Sequence, residues 1–130
     1  MNSHEELFVK SFIIPTKQER YLSFLSNNKQ RKKFLNKLDH FRDLDETKLI
    51  SISPDRQNAT DIYRLLREKG APENCYVIST NLELDSKELA LNDALVEIVG
   101  YGFGSYVSCV AGKLGYYESE EAGERYILVG

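Results

Sequence analysis

Residues 49–79 read LISISPDRQNATDIYRLLREKGAPENCYVIS, and the parsing of this stretch decides the fold. Leu49-Ile50-Ser51-Ile52 is a short apolar, β-branched run that stops at Ser53-Pro54, which predicts a strand. Asn58 with Asp61 three positions on has the spacing of a capping box, Asp replacing the usual Glu or Gln. Ile62, Leu65 and Leu66 then share one helical face, while Arg67 and Lys69 put cations in the last turn, where they suit the helix dipole. Gly70 supplies a left-handed stop, followed by Pro72. Cys75 to Ser79 reads as a second strand. Strand, helix and strand in so short a span predict a βαβ unit with parallel neighbours.

Upstream, Leu7-Phe8-Val9-Lys10-Ser11-Phe12-Ile13-Ile14 is β-branched and aromatic and ends at Pro15, predicting a first strand. Helices are expected over about 17–26 and about 29–43, the latter with Phe34, Leu38 and Phe41 at stripe spacing. Downstream, Ser86 is expected to cap a helix over about 87–97 with Leu89, Ala90, Ala94 and Leu95 inward. Three strands follow at 105–111, 114–118 and 125–129, separated by turn-like segments, as an antiparallel meander. The expected fold class is α+β: a mixed sheet containing one parallel βαβ unit and a C-terminal antiparallel meander, with helices mainly on one face. No repeat or linker divides residues 1–130, so a single domain is expected.

The 130 residues carry 17 Lys+Arg and 20 Asp+Glu, a net charge of −3, with 42% hydrophobic residues, which is globular usage rather than a disordered profile. Residues 1–42 are net +5 and residues 43–130 net −8. Segment 83–124 holds nine carboxylates against Lys87 and Lys113 alone. The apolar runs are too short for a bilayer, which needs about 20 residues, and the acidic N-terminal residues are unlike a secretory signal. A cytoplasmic protein without membrane contact is therefore expected. Cys75 and Cys109, each inside an apolar run, read as two reduced, buried thiols.

Catalytic chemistry finds little support. His4 and His40 are isolated and no CxxC or HxxxH spacing occurs, so neither a metal nor another cofactor is expected. There is no Gly-x-Ser-x-Gly elbow. Gly112-Lys113 lacks the first Gly and the Ser/Thr of a phosphate-binding loop. Gly100, Gly102 and Gly104 follow a helix, the reverse of a dinucleotide fingerprint.

Three surfaces remain. A ligand site, suited to an anion or phosphate, is expected at the carboxyl ends of the two parallel strands. There Ser53, Asp55, Arg56 and Asn58 would face Gly102, Gly104 and Ser105, whose loop is also a candidate anion-binding nest of backbone N–H groups. A nucleic-acid face would use Lys29, Lys32 and Lys33 of the basic helix, although it lacks interleaved aromatics. A protein interface would use Tyr117, Glu118, Glu120 and Glu121, because strand alternation sends Tyr116 and Tyr117 to opposite faces and Tyr with a carboxylate rim suits a contact surface.

The run Cys75-Tyr76-Val77-Ile78-Ser79, then Gly102-x-Gly104, Ser108-Cys109, Gly112-Lys113-Leu114, Tyr117-Glu118 and Glu124-Arg125-Tyr126-Ile127-Leu128, resembles a family of small uncharacterised bacterial proteins. The resemblance implies a bacterial, stand-alone cytoplasmic protein and brings no activity with it. On the residues, the expected function is a non-enzymatic interaction module, of an immunity, antitoxin-like or regulatory kind. It would bind a basic protein through an acidic, Tyr-bearing C-terminal sheet. A small enzyme or ligand-binding domain and a nucleic-acid binder are the alternatives, and homo-oligomerisation stays open.

Overall fold

A computed structural model describes residues 2–130. Helices α1 (Ser3–Phe12), α2 (Gln18–Ser26) and α3 (Arg31–Leu38) come first, then β1 (Leu49–Ser51), α4 (Ala59–Glu68), β2 (Asn74–Ser79), β3 (Glu88–Ala90), α5 (Leu91–Ile98), β4 (Ser105–Val110), β5 (Leu114–Glu118) and β6 (Arg125–Val129). The strands form one sheet in the order β1-β6-β5-β4-β2-β3, with every neighbouring pair antiparallel.

This corrects the expected parallel βαβ unit. Helix α4 does start at Asn58, whose side chain accepts from the Asp61 amide at 2.9 Å, and does end at Gly70 with φ of 103°. The strands on either side of it run in the same direction, but β6, β5 and β4 lie between them. The reason is burial. Strands β2, β4 and β5 are covered almost from end to end and take the middle of the sheet, while β1, three residues long and largely exposed, has only edge value and pairs with β6. The last three strands form the consecutive antiparallel meander.

The expected first strand is also corrected, because Leu7–Ile14 lies mostly within α1. The Asn2 side chain caps this helix by accepting from the His4 amide at 2.7 Å, and its buried residues Glu5, Phe8, Val9 and Phe12 follow helical spacing. Ser86 does not cap a helix. It sits at φ of 64°, and the residues after it form edge strand β3 before α5 begins.

Helices cover both faces of the sheet rather than mainly one. Tyr76, Ile78, Tyr106, Tyr117 and Leu128 project toward the Phe-rich packing of α1, α2 and α3. Their sequence neighbours Cys75, Val77, Val107, Tyr116 and Ile127 meet Ile62 and Leu66 of α4 and Leu91, Ala94, Leu95 and Ile98 of α5. The two-residue strand period therefore feeds two cores on opposite sides of one sheet. No helix among the described residues is long and apolar enough to cross a membrane.

Candidate functional site

Of the four residues of the expected protein interface, Tyr117 and Glu118 are held within the fold while Glu120 and Glu121 are exposed. Strand alternation does part Tyr116 from Tyr117, but with helices on both faces neither ring reaches solvent. Tyr117 is 2% exposed, donates to the Leu38 carbonyl at 2.5 Å and accepts from the Phe41 amide at 3.2 Å. Glu118 is 1% exposed. Glu120 and Glu121 lie nearer the surface against His40, with Nε2 on Glu120 and Nδ1 3.4 Å from Glu121, and the Glu120 amide donates to the Asp39 carbonyl. The segment 117–121 thus ties the meander to the end of α3.

Glu118 also explains the glycine-rich loop. Its Oε1 and Oε2 accept from the Gly100 amide at 3.0 and 3.2 Å, and Oε2 accepts from the Gly102 amide at 3.1 Å. Tyr116 Oη donates to Oε1 at 2.8 Å. Arg125 Nε stands 3.3 Å away as an ion pair outside hydrogen-bond alignment, while its Nη1 donates to Gln57 Oε1 at 2.9 Å. The amides of Gly100 and Gly102 thus converge on the protein's own carboxylate. A second carboxylate, Asp39, accepts from the Gly104 amide at 3.1 Å. A Cβ on Gly104 would stand 2.5 Å from the Leu38–Asp39 backbone, so glycine is required there for close approach.

The expected ligand site loses its donors in the same way. Gly102 is committed to Glu118, and Ser105 is fully buried with its hydroxyl 2.8 Å from Ser79 Oγ. Asp55 and Arg56 lie in a short 3₁₀ turn after the edge strand β1, Ser53 precedes it, and Asn58 is spent on capping α4. With β1 at the sheet edge, no crevice between adjacent parallel strands exists for these residues to line. Gln57, beside the first group, reaches the second through Arg125 and Glu118.

On the basic helix, Lys32 and Lys33 are exposed on α3, while Lys29 lies in the turn before it. Lys33 Nζ sits 5.9 Å from the Phe24 ring centroid and Arg20 covers the same ring at 5.5 Å. Arg31, from the same run, is drawn inward. It forks onto Glu5 at 2.7 and 3.0 Å and onto Asp85 at 3.0 and 3.1 Å, and Glu5 also accepts from Tyr76 Oη. This triad locks α1, α3 and the β2–β3 connection together. Its sequence signal is Glu5 on the apolar stripe of α1, visible only once that segment is read as helical.

Burial pushes the Cys75 and Cys109 thiols up to about 12, and both cysteines are free. Tyr76 is pushed up to about 12 by burial and by its hydrogen bond to Glu5. Among the described residues no group of three or more His, Cys, Asp or Glu side chains converges to hold a metal ion.

Two concave surfaces outside the expected sites carry unspent chemistry. Between the edge strand β3 and α5 runs an open groove of about 600 Å³, with Leu84, Leu89 and Val96 on its floor and Glu83, Asp93, Glu97 and Lys87 around it. None of those three carboxylates has a cationic partner within 4 Å among the described residues. Its signal in the sequence was the acidic run from residue 83, which the reading spread over the whole tail. The other is a basic cleft where α2 begins and α3 ends. Lys37 and Arg42 belonged to the basic stretch, whereas Lys17 and Arg20 gave no sequence signal, because the two pairs meet only when the helices pack.

No family model matches the chain, and no curated protein or solved structure is found to be similar to it. The resemblance seen mainly over residues 70–130 therefore assigns no family.

Proposed function

We propose that the protein is a non-enzymatic interaction module that receives a basic, amphipathic segment of another protein in the groove between β3 and α5. The observation that carries this reading is the pairing of an apolar floor with three unpaired carboxylates in one groove. Val96 on that floor is 54% exposed, and Leu82, just before Glu83, is 76% exposed. The buried carboxylates Glu5 and Glu118, and Asp85 beside them, take donors from the fold itself. Side chains left open beside exposed apolar groups suit a contact that buries the apolar part and pairs the charged rim. The acidic C-terminal half supplies the long-range attraction for a basic partner, with Glu83, Asp93 and Glu97 in place of Tyr117 and Glu118. A role of the immunity, antitoxin-like or regulatory kind is consistent with such a module.

The test uses the full chain immobilised against lysate, with any recovered partner then purified and its binding kinetics measured. Val96→Arg combined with Glu97→Lys should weaken that partner about tenfold or more and slow its association, and raising salt should lose its effect on the on-rate. Glu120→Lys with Glu121→Lys should leave binding unchanged. Equal affinity of the groove variant and the unaltered chain would sink the proposal.

A further inference from the structure

Independently of the acidic groove, we infer that the cleft between the start of α2 and the end of α3 binds the phosphates of a small polyphosphorylated ligand. The placement follows from packing. Tyr21, Phe24 and Leu25 of α2 and Phe34, Leu35 and Leu38 of α3 all turn into the core, which leaves Arg20 of α2 and Lys32, Lys33 and Lys37 of α3 on the outer side. Lys17 and Arg20, at the start of α2, then meet Lys37 of α3 and Arg42 of the segment after it around a concavity of about 440 Å³. That is within the usual range for a small-molecule site, about 300–1,000 Å³.

Four cations share this hollow, and none has a carboxylate within 4 Å among the described residues. The one carboxylate on the wall, Asp43, accepts the hydroxyl of Tyr21. Crowding like charges in a concave, protein-walled space raises the local potential and disfavours the empty site, so an anion of high charge density gains most there. Arg20 and Arg42 offer planar forks matched to phosphate oxygens, and Lys17 and Lys37 add point charges. Of the rings on the wall, Tyr21 is buried edge to face against Phe24 and Phe34 and offers no face on which a base would stack, and His40 is held against Glu120 and Glu121. Recognition therefore falls on the phosphates. Lys29, Lys32 and Lys33 stand outside the lining, which separates this hollow from a stripe that would follow a nucleic-acid backbone.

The test is calorimetric titration of the full chain with tripolyphosphate, pyrophosphate and inorganic phosphate in about 150 mM KCl, where surface charges are screened beyond about 8 Å. Tripolyphosphate should bind saturably at a single site and more tightly than pyrophosphate, with inorganic phosphate weakest. Arg20→Ala with Lys37→Ala should weaken tripolyphosphate about tenfold or more, as should Arg42→Ala alone to a smaller degree, whereas Lys29→Ala with Lys32→Ala should not. Thermal unfolding of each variant shows that the fold is retained, and Arg42→Ala keeps the test decisive if the double variant is unstable. Absence of saturable heat up to about 1 mM tripolyphosphate, or equal binding by the cleft variants, would overturn the inference. So would a short DNA duplex that binds more tightly than tripolyphosphate and loses affinity in Lys29→Ala with Lys32→Ala.

Discussion

Replacing Glu118 by Gln alters almost no volume and removes one charge from a site 1% exposed. Three donors now meet a carboxylate: the amides of Gly100 and Gly102 and the hydroxyl of Tyr116, at 2.8 to 3.2 Å. A hydrogen bond to a charged group contributes about 1.5–3 kcal/mol against about 0.5–1.5 for a neutral one, so three such bonds lose about 3 kcal/mol together. The amide NH₂ also turns a donor toward donors, and Arg125 loses its counter-charge, though its partial exposure keeps that contribution small. A cost of about 3–4 kcal/mol is expected, a large share of a typical 5–15 kcal/mol total. Urea unfolding reads this as a midpoint lowered by about 1.5–2 M at an unchanged slope of about 2 kcal/mol per M. Glu118→Ala provides the complementary measurement, because it empties the nest. Formate at about ten times its dissociation constant should then return about 1.4 kcal/mol, and should return nothing to the unaltered chain. A loss below about 0.5 kcal/mol in Glu118→Gln, or stabilisation of both chains alike by formate, would refute the assignment of Glu118 as the anion of the glycine loop.

Arg31→Met should cost about 3–5 kcal/mol in the same urea assay, since it strands Glu5 and Asp85 without their cation. Tyr106 Oη is buried with no hydrogen-bond partner among the described residues, so Tyr106→Phe should hold or raise the melting temperature, corresponding to a gain of up to about 1 kcal/mol. A marked fall would mean that the hydroxyl is satisfied. The raised thiol values of Cys75 and Cys109 favour the protonated form in the folded chain. Their contribution is thus fully present below the unfolded value near pH 9 and is lost as pH climbs toward about 12, which stability measured across that window should show as a decline. Both thiols should also resist alkylation at pH 8 until denaturant is added, and rapid labelling of the native chain would contradict their burial.

Local signals carried a good part of the fold. Asn58 with Asp61 and Gly70 delimited α4 because capping chemistry acts within four residues, and the turns of the meander were similarly self-contained. Leu7–Ile14 misled for a physical reason: its β-branched and aromatic content favours a strand, while the polar pair Lys10-Ser11, which breaks a period of 2, is one short gap, and the deciding mark, Glu5 with Phe8 and Phe12, begins before the run. Strand neighbours were out of reach as well. Whether Leu49–Ser51 lies beside β2 or beside β6 depends on which strands need cover on both faces, and that is settled by five helices acting together. The same ignorance of the second helical layer exposed Tyr117 and Glu118 on paper. The sequence marked Gly100–Gly104 as a candidate anion-binding loop, but not that Glu118 would meet the Gly100 and Gly102 amides, since the two segments are far apart in the chain.

The place of β6 between β1 and β5 has a consequence for the newborn chain. Translation proceeds from the amino end, so β1 emerges long before the strand that supplies its sheet hydrogen bonds. Until residues 125–129 clear the ribosome, Leu49–Ser51 has no docking edge, and β5 keeps one side unsatisfied. Completion of the sheet must then await β6, which leaves the half-made molecule dependent on its helices, or on chaperones, to stay out of aggregates.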